Sequence, residues 1–164
     1  MSTETTTVHR TGSQLVADRL EEAHVPYTLI RHRRTRSARG EAHALGVAPW
    51  QVAKTVILKT GEGFVRAVVP ASRQVDLRKV GRALGTHSVE LASETELTGA
   101  YPEFELGAVP PLGDSHGDRV LIDVALFGLD SVVLEAGTHD RSVRIETGDL
   151  IEASDAALAD LCAD

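Results

Sequence analysis

Two stretches rich in β-branched residues, 52–60 and 64–70, are separated only by Gly61-Glu62-Gly63. Val, Ile and Thr fit the pleated surface of a strand, and a short spacer with glycine supplies the backbone freedom that a tight reversal needs. The pair is therefore predicted to form an antiparallel hairpin. That hairpin commits the chain to a sheet, on which the remaining elements have to pack.

Those elements are short and varied. Leu15, Val16 and Leu20 recur at helical spacing after Ser13, which predicts a helix over 13–22 that ends before Pro26. A strand is expected at 27–30 and a second helix at 37–45, stopped by Gly46. Asp76 heads a third helix that ends at Gly85, and Ser93-x-x-Glu96 has the form of a capping box for a fourth. The stretch from Gly99 to Gly117 is broken by glycine and proline and reads as a long loop of the kind that often carries function. Further strands are expected at 120–124, 131–135 and 143–147, with a closing helix at 154–161. Strands in runs mixed with short helices, without strict alternation, predict an α+β fold: a mixed, largely antiparallel sheet flanked by short helices. With 164 residues, the chain is expected to form a single domain over 13–164 behind a flexible tail at 1–12.

Composition excludes several functions. Aromatic residues are only 4%, so the core has to be built from Val, Leu, Ile and Ala. No apolar run approaches the ~20 residues of a membrane span, and the threonine-rich N-terminus lacks the apolar segment of a secretory signal, so a cytoplasmic protein without membrane contact is expected. The lone cysteine, Cys162, excludes an intrachain disulfide or a cysteine-based zinc site, and no histidine pair has zinc spacing; neither metal nor cofactor is expected. The net charge of −7 argues against gripping a polyanion through bulk electrostatics. Against that background Arg31, Arg33, Arg34, Arg36 and Arg39 form a local basic cluster. It is either a solvated surface or a docking patch in which Arg33, Arg34 and Arg36 meet RNA phosphates.

Three places could carry chemistry. Strand alternation puts Lys54 on one face with Val56 and Leu58, so its ammonium either snorkels to solvent at the strand end or points into a cleft at the rim of the core. In Gly107-Ala108-Val109-Pro110-Pro111-Leu112-Gly113 the glycines at both ends open backbone conformations closed to other residues and the two prolines stiffen the middle. Such a loop either connects elements or holds N–H groups toward a ligand. Ala136-Gly137-Thr138-His139-Asp140-Arg141-Ser142 is a polar loop between two strands, in which His139 is either a surface residue or part of a site. Asp123, inside an apolar strand, is either a buried hydrogen-bonded carboxylate or a pocket wall. Nucleophile elbow, P-loop and dinucleotide glycine patterns are all missing from the sequence.

In their order along the chain these pieces resemble the YbaK/prolyl-tRNA synthetase-associated editing domain family. The resemblance runs from His32-x-x-Thr35-x-Ser37-Ala38 and Ala42-x-Ala44-Leu45-Gly46 through Gln51-Val52-Ala53-Lys54-Thr55, Ala67-Val68-Val69-Pro70 and Val75-Asp76-Leu77. It continues through Gly107-x-x-x-Pro111, Leu121-Ile122-Asp123 and Gly137 followed by Val143-x-Ile145, covering roughly residues 13–152. The resemblance implies a trans-acting hydrolase that removes a small amino acid from a mischarged tRNA, with a pocket for the 3′-terminal adenosine and its aminoacyl ester. Lys54 maps onto the lysine that anchors substrate charge. Thr55, Gly107, Ala108, Val109, Pro110, Pro111, Asp123, Gly137, His139, His32 and Thr35 are implied to line the substrate site. The partners implied are the aminoacylated tRNA 3′ end and an aminoacyl-tRNA synthetase that holds it; attack comes from water or from a group on the substrate. The alternative is a binding module that keeps the pocket without turnover. Two departures bear on specificity: Ala108 stands where relatives often have a second glycine, and Gly137-Thr138-His139-Asp140-Arg141 stands where many freestanding relatives have Gly-x-Arg-Gly.

Overall fold

The structure is a computed structural model that describes residues 11–112 and 116–164. Among the described residues, six α-helices and eight strands follow in the order α1 (Gly12–Glu22), β1 (Tyr27–Arg31), α2 (Ala38–Leu45), β2 (Ala53–Thr60), β3 (Gly63–Pro70), α3 (Leu77–Leu84), β4 (Val89–Leu91), α4 (Glu94–Ala100), β5 (Arg119–Asp123), α5 (Val124–Phe127), β6 (Ser131–Glu135), β7 (Arg141–Glu146), α6 (Thr147–Ser154) and β8 (Ala157–Ala159).

Local chemistry sets most of these boundaries. Thr11, slightly earlier than the expected Ser13, caps α1 through a reciprocal box with Gln14, so Thr11 and Gly12 belong to the helix start; residues 1–10 of the expected tail lie outside the described residues. The Ser37 hydroxyl accepts from the Gly40 N–H to open α2, and Gly46 closes it in the left-handed conformation at φ 68°. Asp76 and Gly85 bracket α3 in the same manner, and Ser93 with Glu96 forms the capping box that opens α4.

The hairpin forms as the spacing predicts: β2 and β3 pair antiparallel from Ala53 opposite Pro70 to Thr60 opposite Gly63. They are the centre of a five-stranded sheet in the order β4-β2-β3-β5-β8, with β5 parallel to β3 and β8 parallel to β5. The other strands form a separate antiparallel sheet, β1-β7-β6. The expected mixed, largely antiparallel arrangement is thus divided between two sheets, joined at a parallel bridge between Val52 and Val133. Alternation along the strands builds the two larger of three apolar clusters among the described residues. Ala53, Ile57, Val68, Val120 and Ile122 pack with Val132, Leu134, Val143 and Ile145 of the smaller sheet and with Val16 and Leu20 of α1. Leu58, Val65, Ala67, Val69 and Leu121 pack on the other face against Val80, Leu161 and Cys162. Burial on both faces accounts for the nearly unbroken apolar run of β3.

The C-terminal expectation is corrected. The last helix is α6, which precedes residue 155, and the stretch expected to be helical contains β8 instead. Asp155 turns left-handed at φ 51° and ends α6, while the Ser154 hydroxyl donates back to the Leu150 carbonyl. Beyond it the chain adds to the open edge of β5, where the Leu161 N–H donates to the Asp123 carboxylate at 2.8 Å. No helix among the described residues is long and apolar enough to cross a membrane.

Candidate functional site

The first residues of β2, the N-terminal turn of α2, the end of β6 and the loop after α4 converge beside the Val52–Val133 bridge. They enclose a cavity of about 140 Å³. Larger grooves of about 640 and 740 Å³ lie elsewhere, but this small cavity, unlike those two, gathers a lysine, two glutamates and a histidine on its walls. Chemistry rather than size therefore marks it as the site.

Lys54 lines this cavity with Ala53 and Thr55 on either side. Burial, reinforced by the positive charge of Arg39, holds its ammonium below the ordinary lysine range, with only a small opposing effect from Cys162. Among the described residues it has no ion-pair partner. An unpaired, partly desolvated cation of this kind is free to take a ligand's negative charge.

Gly107, Ala108 and Val109 form the facing wall. Gly107 has φ 84°, a conformation that side chains rarely adopt. The Ala108 N–H donates to the Glu105 carbonyl, whereas the N–H groups of Gly107 and Val109 have no acceptor among the described residues. The loop therefore carries two backbone donors without acceptors among the described residues on the same cavity that Lys54 lines. Gly107→Val should lower activity well below that of Ala108→Gly, because the β-branched residue is strained at positive φ whatever the space around it. Equal activity in the two variants would make the loop a mere connector.

His139 fastens this wall. Its Nδ1 lies 3.1 Å from a Glu135 carboxylate oxygen, and its Nε2 donates to the Leu106 carbonyl at 2.7 Å. With an acceptor at each ring nitrogen, the doubly protonated imidazolium is favoured. Burial alone would lower the pKa of His139, but the Glu135 charge and the Leu106 carbonyl outweigh it and raise it. The His139 N–H donates to Glu105 and its carbonyl accepts from the Thr35 N–H, while Glu105 receives both guanidinium arms of Arg34.

Glu41 lines the cavity yet is 0% exposed. Ser142 Oγ is 2.5 Å from one of its carboxyl oxygens, and His32 Nε2 lies 2.8 Å from the same hydroxyl. Burial pushes the Glu41 pKa up to about 8, with the Ser142 hydrogen bond opposing and Glu135 adding to the rise. The folded protein thus holds a proton that the unfolded chain gives up. Stability from this group is full below the ordinary carboxyl range and is lost as pH rises toward about 8. Glu41→Gln should flatten that decline, by at most about 1.4 kcal/mol per pH unit, and raise the melting temperature at pH 8. Parallel melting curves for both proteins across this range would contradict the assignment.

The remaining sequence candidates are dispersed. Thr35 and His32 stand behind the wall, in the contacts just described. Arg36 lines the cavity, Arg33 is exposed, and Arg34 is held by Glu105. Pro110 and Pro111 are buried; the Pro110 carbonyl accepts from Arg66 at 2.6 Å, and Pro111 borders a different groove. Gly137 packs on Gly12 and Phe104, where an added Cβ would meet backbone at 2.8 Å. Asp123 is not a wall of this cavity. It is 1% exposed, caps α5 through the Ala125 N–H and receives the Leu161 N–H, so the hydrogen-bonded alternative holds. Glu41, Glu135 and Glu105 are site residues that sequence reasoning missed. The only signal for Glu135 is a carboxylate ending the apolar strand Val132-Val133-Leu134.

The architecture is α+β, with two sheets and a small cavity lined by a lysine and a glycine loop. The aminoacyl-tRNA editing domain model matches residues 32–153, and the chain belongs to that family. It is 33% identical over 108 residues to a proline–tRNA ligase of Desulforamulus reducens and 32% identical over 85 residues to that of Bacillus cytotoxicus. These matches take in 64% and 52% of this chain but only 18% and 15% of the ligases, so the chain spans a minor part of those relatives. Among solved structures, one whose description proposes a trans-editing enzyme for prolyl tRNA synthetase aligns over 94% of this chain and 99% of its own, with a TM-score of 0.84 at 24% identity. A hypothetical protein aligns over 91% and 99%, with a TM-score of 0.84 at 22% identity. At these identities the likeness establishes the fold.

Proposed function

We propose that this chain is a trans-acting deacylase that hydrolyses the ester of a tRNA mischarged with a small amino acid. The observation that carries the reading is Lys54, without an ion-pair partner among the described residues, sharing the lining of a cavity of only about 140 Å³ with Gly107 and Val109, whose N–H groups have no acceptor among the described residues. A volume this small suits a small aminoacyl side chain. The ammonium would hold the negative charge at the tRNA 3′ end, and the two N–H groups would stabilise the oxyanion that develops on the ester carbonyl. Among the described residues no Ser or Cys on the cavity wall is paired with a base, which supports attack by water or by a hydroxyl of the terminal ribose. Family membership supports the tRNA substrate, and the two ligase relatives support a link to proline-specific tRNA and its synthetase. A cytoplasmic location follows from that role.

The test is a deacylation panel of tRNAs charged with Ala, Cys, Ser and Phe. Hydrolysis of one or more of the small esters with Phe-tRNA spared is expected. Cleavage of Phe-tRNA as fast as the others would contradict selection by cavity size, and equal activity on small esters that lack tRNA would contradict the substrate class.

A further inference from the structure

The acidic chain carries a second basic surface, outside the arginine cluster of the N-terminal third. Between α3 and the turn into β4 lies an open groove of about 640 Å³, lined by Arg78, Arg82 and His87 and, among the described residues, by no carboxylate. Helix α3 turns Leu77, Val80 and Leu84 to the core. Its Lys79 points to the other flank, where Asp160 and Asp164 hold it at 3.1 Å. Arg78 and Arg82 are exposed on the groove side, four residues and so about 6 Å apart along the axis, with no side-chain partner among the described residues.

Contacts along the chain connect this groove to the cavity. Arg39, whose charge acts on Lys54, donates to the Ser72 carbonyl; Arg73 follows at the surface, and Asp76 then caps α3. Arg39 and Arg73 thus lie on the stretch of chain between the cavity and α3, while the Glu105 pair neutralises Arg34 within the arginine cluster.

We propose that the Arg78–Arg82 groove binds phosphates of the tRNA acceptor arm while the 3′ end occupies the cavity. The proposal rests on the tRNA substrate assigned above. A chain of net charge −7 repels a polyanion at long range and needs a local stripe free of acids to hold one. Two guanidinium groups without partners among the described residues supply it, and phosphate is the anion they match best. Two exposed guanidinium groups one helical turn apart in a groove with no carboxylate on its described lining suit the regularly repeated phosphates of RNA better than the scattered carboxylates of an acidic protein surface.

The experiment measures binding of uncharged tRNA across a salt series for the wild type, for Arg78→Ala/Arg82→Ala, and for Lys79→Ala as a control on the opposite flank. The double variant should bind about tenfold more weakly at low salt, with the slope of log K against log salt reduced by about 1.4 to 1.8, from two contacts at about 0.7 to 0.9 each. Lys79→Ala should match the wild type. In deacylation, the double variant should show a raised KM on full-length tRNA and unchanged hydrolysis of a short 3′-aminoacyl oligonucleotide that lacks the stem. Wild-type affinity and slope in the double variant would overturn the groove while leaving the deacylase reading intact. Groove-dependent tRNA binding by a wild-type protein that hydrolyses no ester would uphold the groove and overturn the deacylase. A wild type that does not bind tRNA would overturn both.

Discussion

Lys54→Ala is expected to slow single-turnover deacylation by about 30- to 1,000-fold, the equivalent of about 2–4 kcal/mol for removing a partly desolvated cation from a bound anion. The fold should not suffer. Lys54 has no ion-pair partner to lose among the described residues, and its pKa is already lowered by burial, so charge at this position works against folding. The melting temperature should therefore stay level or rise slightly while activity falls. That combination separates a residue kept for a ligand from one kept for packing. Turnover close to the wild type would remove Lys54 from the reaction, and joint loss of activity and stability would make it structural.

His139→Ala should behave in the opposite manner, damaging both. The substitution strands the Glu135 carboxyl, whose side chain is only 11% exposed, and frees the Leu106 carbonyl. Removing one partner of such a pair costs about 2–4 kcal/mol, which for a chain of this size lowers the melting temperature by roughly 5–15 °C. With the Gly107 wall loosened, the rate should fall by about 10- to 100-fold, since small misplacements of the groups around the ester are costly. The pH dependence has a definite sign. The pKa of His139 is raised in the folded protein, so the stability it contributes is full below the ordinary histidine value and is lost as pH rises through the folded value. The gap in melting temperature between wild type and variant should narrow as the solution becomes alkaline. A gap independent of pH would contradict the ion pair, and Glu135→Gln in the His139→Ala background should restore part of the lost stability.

The parts of this molecule that the sequence made legible are those set by local chemistry. The β2–β3 hairpin, the Ser37 and Asp76 caps, the Gly46 and Gly85 stops and the Ser93–Glu96 box each depend on residues a few positions apart, so spacing alone located them. The division into two sheets depends on contacts far apart in the chain, such as Val52 with Val133, which no periodicity records. The C-terminal error has the same origin. Residues 154–161 are alanine-rich and read as a helix, but β8 is stabilised by the open edge of β5 and the Asp123 carboxylate, and tertiary pairing outweighs helix propensity there.

Within the site, alternation along β2 left Lys54 with two fates, and in the structure it lines the cavity that the Gly107 loop also borders. Glu41 was invisible because a glutamate within a short alanine-containing helix ordinarily faces water. Only the packing of α2 against the smaller sheet buries it beside Ser142. The arginine cluster illustrates a further limit: charge density along the sequence did not reveal that Glu105, distant in the chain, holds Arg34 with both arms.

The most direct test of the account is the loss of ester from a tRNA charged with alanine or another small amino acid, followed in a single turnover with the purified chain and no synthetase present. The account predicts hydrolysis well above the spontaneous rate in the wild type and close to the spontaneous rate in Lys54→Ala. A wild-type chain that binds the charged tRNA yet leaves every small ester to decay at its spontaneous rate would contradict it, and would make this domain a binder of the tRNA end that performs no editing.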